Sequence, residues 1–435
     1  MKKTLLTLAV TAAMFATAAN AHQGNHAIET YAKIADVNYH DALADAKKLQ
    51  AAVKAFTANP TEETLLAAKD AWKVSRESYG TSEIFRLSNG PIDAEEGWVA
   101  EAYGNLEGQL NAWPLDEFMI DYTIDADGKR TSGNIIDSTG KFTPGGEDPK
   151  AVDVTTITAE VLTDLNENGG EENVSTGYHA IEFLLWGQDQ DYGNFIKDSV
   201  TKGAMVAGQR PLSDFTTDKG AERRKAYLNA AADKLVADVA KVASAWEATV
   251  DGNKGLYRAA LMGKAGDKNI DEKTAVKQIA GGMGMFLKSE LANERIAVAA
   301  LTPSEEDEHS CFSDNTHRDI VVNYEGFKNA LFGTYKGKKI GEAFIDKVSA
   351  EDKAKIMALV EKIDAQVAKV DEVAKTKAHF DYQIFPDSPW VKDIVAMKNN
   401  MRKLGDLMIV VAKANGASIT EADVTDAEEN HDWEK

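Results

Sequence analysis

Cysteine is almost absent from this sequence: Cys311 stands alone among 435 residues. An intramolecular disulfide is therefore excluded, and a chain of this length has no need of one to build a core. Basic residues are also short, 49 Lys and Arg against 70 Asp and Glu, for a net charge of −21. That balance argues against nucleic acid and anionic membrane surfaces as partners, since both require basic patches. Beyond the first twenty-odd residues no long apolar run recurs, so direct membrane insertion of the mature chain is not expected. Alternating β-branched runs are few, which leaves little material for a sheet.

The one long apolar run reads as a secretory signal over Met1 to Ala21. Lys2 and Lys3 precede the apolar Leu5 to Ala18, and Ala19-Asn20-Ala21 supplies small residues for cleavage after Ala21. No cysteine follows the cleavage point, so a lipid anchor is not expected, and the expected address is the periplasm. Loss of Lys2 and Lys3 leaves a mature charge of about −23. Such acidity suits solubility and draws cations, although surface carboxylates usually form only a solvated face.

Helical periodicity dominates the rest. Ile34 to Phe56, Glu63 to Arg86, Lys225 to Val250, Thr274 to Ala300, Ala350 to Ala374 and Trp390 to Ala414 place apolar residues at three- and four-residue intervals among good helix formers. Thr61 is a candidate helix cap. Asp121 to Asp153, rich in Gly, Thr, Ser and Asp, reads as a long surface excursion. Gln188 to Gly220 reads as a link, so the expectation is an all-α protein of two helical-bundle domains packed against each other, 22–200 and 201–435. Gly281-Gly282-Met283-Gly284 lacks the strand and the Lys-Ser/Thr of a phosphate loop and predicts close helix packing instead.

The most informative stretch is Gly177-Tyr178-His179-Ala180-Ile181-Glu182, followed by Phe183-Leu184-Leu185-Trp186. On a helix the three-residue spacing points His179 and Glu182 to one side, where both could serve one metal ion. His-x-x-Glu occurs three times among eight histidines, but only this copy lies within a core-like run. His179, Glu182 and Trp186 share one side and Ile181, Leu184 and Leu185 the other, which predicts a helix covered on both sides. A buried His–Glu hydrogen bond without metal is the competing explanation.

Two ligands do not complete a transition-metal site, which takes three or four donors. Glu83 lies on a stripe with Trp72, Arg76, Tyr79 and Arg86, equally readable as an Arg–Glu–Arg ladder. Asp116 and Glu117 follow the Trp113-Pro114 turn. The polar run from Glu305 to Asp319 holds Glu308, His309, Cys311, Asp314 and His317. Zinc on His309, Cys311 and His317 is conceivable, though the spacing matches no standard zinc knuckle, and a loop hydrogen-bonded across a domain seam is the competing reading.

Taken together, the Gly177-x-His179-x-x-Glu182 motif with Phe-Leu-Leu-Trp-Gly, Ser82 to Arg86 with Gly90 to Asp93, Trp113 to Glu117, Glu290 to Arg295 and Asp307 to His317 resemble the imelysin-like family, of the iron-regulated protein A type. The resemblance implies an exported all-α protein with the motif near a domain seam. It implies a metal ion, iron favoured and zinc as the second option, and a membrane iron-transport component as a partner. His179 and Glu182 are then the motif residues, with Glu83, Asp116 and the Glu308 to His317 loop as candidates to complete or cover the site. Some relatives are classed as metallopeptidases, but this chain has no His-Glu-x-x-His, the usual zinc-peptidase helix. Three functions follow in order: a metal-binding protein of iron uptake, a metal-dependent peptidase, and a structural or partner-docking module.

Overall fold

The computed structural model describes residues 25–125, 127–188, 207–301 and 308–425. The signal segment with its cleavage site, the division after residue 200, and Glu305 to Asp307 lie outside the described residues. The fold is all-α. Strand is confined, among the described residues, to two short antiparallel pairs, β1 (Lys141–Phe142) with β2 (Val152–Asp153) and β3 (Thr334–Tyr335) with β4 (Lys338–Lys339).

The long helices that carry the architecture are α1 (His26–Ala58), α2 (Glu62–Gly80), α3 (Gly177–Trp186), α4 (Ala221–Ala245), α5 (Glu272–Met285), α6 (Thr316–Phe332), α7 (Ala350–Thr376) and α8 (Val391–Asp406). α1 starts earlier than its apolar periodicity suggested because the Asn25 side chain accepts the Ala27 N–H. Thr61 caps α2 as expected, in a reciprocal box with Thr64, a device worth about 1 kcal/mol. α2 stops at Gly80 instead of running on to Arg86, and Glu83–Phe85 forms a separate 3₁₀ turn. α6 had no counterpart among the helices read from periodicity.

α1, α2, α3 and α4 pack on one another, while α5, α7 and α8 belong to a second group. α4 lies beyond residue 200 yet packs on α1 and α3, so the change of packing partners falls after Ala245. α6 joins the groups, contacting α2 as well as α7. Its loop, 308–315, therefore lies against α2 and α3.

Two irregularities position the functional side chains. α5 runs on as a π-helix, Phe286–Ala297, before closing with Val298–Leu301. The wider i→i+5 turn brings residues five apart to one side, and Arg295 Nη2 donates to Glu290 Oε1 at 2.7 Å. Gly282 and Gly284 do mark close packing: a Cβ would stand 2.7 Å from the Leu87 carbonyl oxygen at the first and 2.6 Å from Val424 at the second.

Gly177 opens α3 at φ 80°, and a Cβ there would lie 2.4 Å from the Leu110 carbonyl oxygen. The motif glycine is thus required by backbone conformation and by space. We expect Gly177→Ala to lower stability by about 2 kcal/mol or more, measured by denaturant unfolding. An unchanged midpoint would mean that α3 can start without this close approach.

Candidate metal centre

α3 is buried along its whole length, so both of its sides are covered, as the distribution of its apolar residues suggested. α2 grips it: Trp72 Nε1 donates to the Tyr178 carbonyl at 2.9 Å, and Ser75 Oγ meets the Tyr178 hydroxyl at 2.8 Å. His179 and Glu182, both fully buried, approach at 2.9 Å between Nδ1 and Oε2. The other carboxyl oxygen, Oε1, accepts both the N–H and the hydroxyl of Ser313, at 3.0 and 2.7 Å. Trp113 packs on the His179 ring at 4.9 Å between centroids.

Facing His179 across the seam is His309. The two Nε2 atoms stand 3.4 Å apart. Behind His309, its Nδ1 lies 2.8 Å from Asp319 Oδ2, an oxygen that also accepts from Ser310 Oγ at 2.5 Å. Arg76 Nη2 donates to Asp319 Oδ1 at 3.0 Å, and Arg76 Nη1 to Asn111 Oδ1 at 2.5 Å. Each imidazole therefore has its Nδ1 against a carboxyl group and its Nε2 turned to the other ring.

Protonation follows from burial. Burial, then the neighbouring His309 and Arg76, push His179 well below its ordinary value, and burial with Arg295 and Arg76 does the same to His309. Glu182 is pushed up to about 8, chiefly by burial. His179–Glu182 is thus a neutral hydrogen bond near pH 7, not an ion pair, with the Glu182 carboxyl donating to His179 Nδ1. His179 Nε2–H then donates to His309 Nε2, and His309 Nδ1–H to the Asp319 carboxylate, which satisfies every atom in the chain.

Glu83 is buried in an ionic layer beside this chain. It accepts from Arg295 Nη2 at 2.5 Å, from Asn111 Nδ2 at 3.2 Å and from Asn323 Nδ2 at 3.2 Å. Arg295 also bonds Asn323 Oδ1, and Arg86 joins Glu290 at 2.6 Å and Glu107 at 3.2 Å. Burial alone would raise Glu83, but Arg295, Arg76, His309 and Arg86 together hold it below the ordinary carboxylate range. Its oxygens are committed to these cations and amides, so it does not stand as a ready metal donor.

The structure therefore brings together His179, Glu182 and His309, with Glu83 linked through Asn111, whose Nδ2 also lies 3.3 Å from His309 Nε2. Asp116 is not brought there: it heads the short helix Glu117–Ile120, and Trp113 is what that segment contributes. Glu308 and Cys311 are buried next to the turn. Asp314 and His317 face a different neighbourhood, around His379 and Asp371, so His309, Cys311 and His317 do not form one zinc site. Sequence reasoning gave no role to Asp319, Asn111 or Ser313. Asp319 closed the polar run, and its place one helical turn into α6 would have been visible only with α6 itself recognised.

As to metal, the donor pair fits in part. Neutral imidazoles suit iron, zinc and related ions, and the Asp319 carboxylate behind His309 Nδ1 is the usual outer support of a histidine ligand; Glu182 would give His179 the same support once it passes its proton to Nδ1 and the Nε2 proton is released. Yet among the described residues no group of three His, Cys, Asp or Glu side chains converges to hold an ion. The described residues offer two positions at this place.

The comparisons agree with this architecture. The imelysin family profile matches residues 35–404, and the chain belongs to that family. The iron-regulated protein A of Synechococcus elongatus is 30% identical over 79 residues, 18% of this chain and 19% of that protein. The match thus spans about a fifth of that relative. The crystal structure of a candidate iron-regulated protein A precursor from Parabacteroides distasonis superposes with a TM-score of 0.56 at 16% identity, covering 89% of this chain and 94% of that one. At that identity the likeness is one of fold.

Glu182 gives the metal-free protein a distinct pH response. It ionises near 4.5 in the unfolded chain and near 8 in the fold, so between those values the folded state keeps a proton that the unfolded state has lost. Its stabilisation is full below about 4.5, shrinks as pH rises, and is gone above about 8. The buried His179 and His309 act oppositely, removing stability as pH falls below about 6.5. With chelator present, we expect Glu182→Gln to gain on the wild type in unfolding free energy as pH rises from about 5 to about 8, then to run parallel. A difference constant across that interval would show that Glu182 is ionised in the fold.

Proposed function

We propose that this chain is a metal-binding imelysin of iron handling, exported to the periplasm, in which His179 and His309 hold the ion through their Nε2 atoms. The observation that carries the reading is the facing pair itself: two buried imidazoles 3.4 Å apart, each supported at Nδ1 by a carboxyl group. Glu182 and Asp319 orient the rings rather than ligate, which departs from the expectation that Glu182 is itself a ligand. Iron is favoured by the name of the Synechococcus relative; the donors suit zinc equally. A membrane iron-transport component would be the partner of such a carrier.

A bound ion at this place would supply a Lewis-acidic centre, while the chain's own groups fix the rings and exclude bulk water. The peptidase alternative needs an open position and a substrate groove at the pair, and both imidazoles are buried, His309 being 4% exposed. A second reading has its own observation. Asp319, Glu83 and Glu290 are matched by Arg76, Arg86 and Arg295, which suits a polar clasp that joins the two helix groups without metal.

Metal content and titration with Fe²⁺ under anaerobic conditions and with Zn²⁺ separate the two. We expect His179→Ala and His309→Ala each to abolish stoichiometric binding with the helical content retained, and Asp319→Asn to weaken it about 10- to 100-fold. Stoichiometric binding retained in both alanine variants would overturn the site. Absence of binding by the wild type would leave the clasp.

A further inference from the structure

A surface cleft of about 630 Å³ opens beside the loop that carries Ser313 and Asp314. α2 forms one wall with Lys73 and Val74, and the other carries Lys375 and His379. Ser313 belongs to both places: it lines the cleft, and its N–H and hydroxyl both donate to Glu182. Ser313 thus ties the lining of the cleft to the Glu182 carboxyl.

Two further imidazoles line this cleft, His317 and His379, and the Nδ1 atom of His317 is buried without a hydrogen-bond partner. An unsatisfied buried polar atom is a cost that a purely structural side chain rarely carries. Their ring centroids are 6.2 Å apart, and His379 Nδ1 is 3.7 Å from Asp314 Oδ2. Asp314 itself is held at φ 55°, a conformation uncommon for a residue with a side chain. Burial pushes His317 down to about 4 and lowers His379 too, so both rings are unprotonated near neutral pH and offer lone pairs.

The charged groups around the cleft are largely spoken for. Arg318 is bonded to Glu77 and Asp371, and Lys375 to Asp371. Lys73 lies over the Trp186 ring at 5.7 Å. What the cleft offers a visitor is therefore neutral imidazole, a donor suited to a borderline metal cation.

We propose that this cleft is the port by which a metal cation reaches the buried His179–His309 pair, with His317 and His379 as passing donors. The inference rests on the metal-binding reading above. The two rings stand too far apart to form a tight resident site, and that spacing suits passage, because a transit position must bind well enough to admit an ion and weakly enough to release it.

Stopped-flow Zn²⁺ uptake and release by the purified protein tests the route. Wild type is compared with His317→Ala/His379→Ala and with Val74→Trp, which fills the mouth of the cleft from a position 51% exposed and so does not burden the core. A change confined to the route alters passage in both directions alike. We expect association and dissociation both to slow at least about fivefold, with Kd unchanged within about twofold. Unaltered rates in both variants would overturn the route while leaving the site. Faster dissociation with a matching loss of affinity would also overturn it, by making these histidines part of the resting site. Wild-type protein that takes up no Zn²⁺ would overturn the metal reading itself, and the route with it.

Discussion

The structure depends on the burial of one guanidinium. Arg76 is fully buried, and a charge so placed is tolerable only if its partners are fixed and hydrogen-bonded. Asp319 and Asn111 meet that demand from two other parts of the chain, and the faces of Tyr178, Tyr79 and Trp72 lie within 5.1 to 5.8 Å of the guanidinium carbon. Asp319 belongs to α6, so the bond that neutralises Arg76 also draws α6 onto α2. The same carboxylate takes His309 Nδ1, which fixes that ring's tautomer and aims its Nε2 at His179. Orientation of the imidazole pair is thus a consequence of charge compensation one step behind it.

A second buried layer extends the constraint to the π-helix. Arg295 and Glu290 can share a face because the helix is widened there, and Arg86 completes a ladder from Glu107 through Glu290 to Arg295 and Glu83. Glu83 and Arg295 are the buried members, and loss of either leaves the other's charge undercompensated, at a cost of about 3–5 kcal/mol. Substitutions that shorten the π-turn would then disturb Glu83 and, through Asn111, the His309 side of the pair.

How much of this was legible in the sequence depended on whether a relation was local. His179 with Glu182 could be read, because a three-residue spacing on a helix brings them together whatever the tertiary fold. Gly177 was noticed as part of a motif, but its reason lies in the Leu110 carbonyl, 67 residues away, which no periodicity reveals. His309 was singled out within a dense polar run with the wrong companions: neighbours in sequence, Cys311 and His317, suggested one zinc site, whereas a turn sends His309 inward and His317 to the other side. Arg76 and Glu83 share a stripe on a continuous helix, yet α2 ends at Gly80, and the two meet at 3.7 Å with Asn111 bonded to both. The all-α class came from composition and period, which survive ignorance of contacts. The site came from pairings hundreds of residues apart, which do not.

That asymmetry bears on what fold likeness can carry. A neighbour at 16% identity shares the arrangement of helices, but the pair's geometry hangs on particular side chains at their crossings. Ser313 and His179 hold Glu182, Ser310 and Arg76 hold Asp319, and the two carboxyl groups hold the two rings. Moving one Nε2 away from the other means breaking a buried, hydrogen-bonded carboxyl contact, so the packing of the seam and the spacing of the imidazoles are one property. A structural clasp needs only that the polar atoms be satisfied, and many arrangements of donors and acceptors would do so. Two imidazoles placed Nε2 to Nε2, each held from behind, is a narrower arrangement than satisfaction alone requires, and it is this excess of specification that argues for an ion between them.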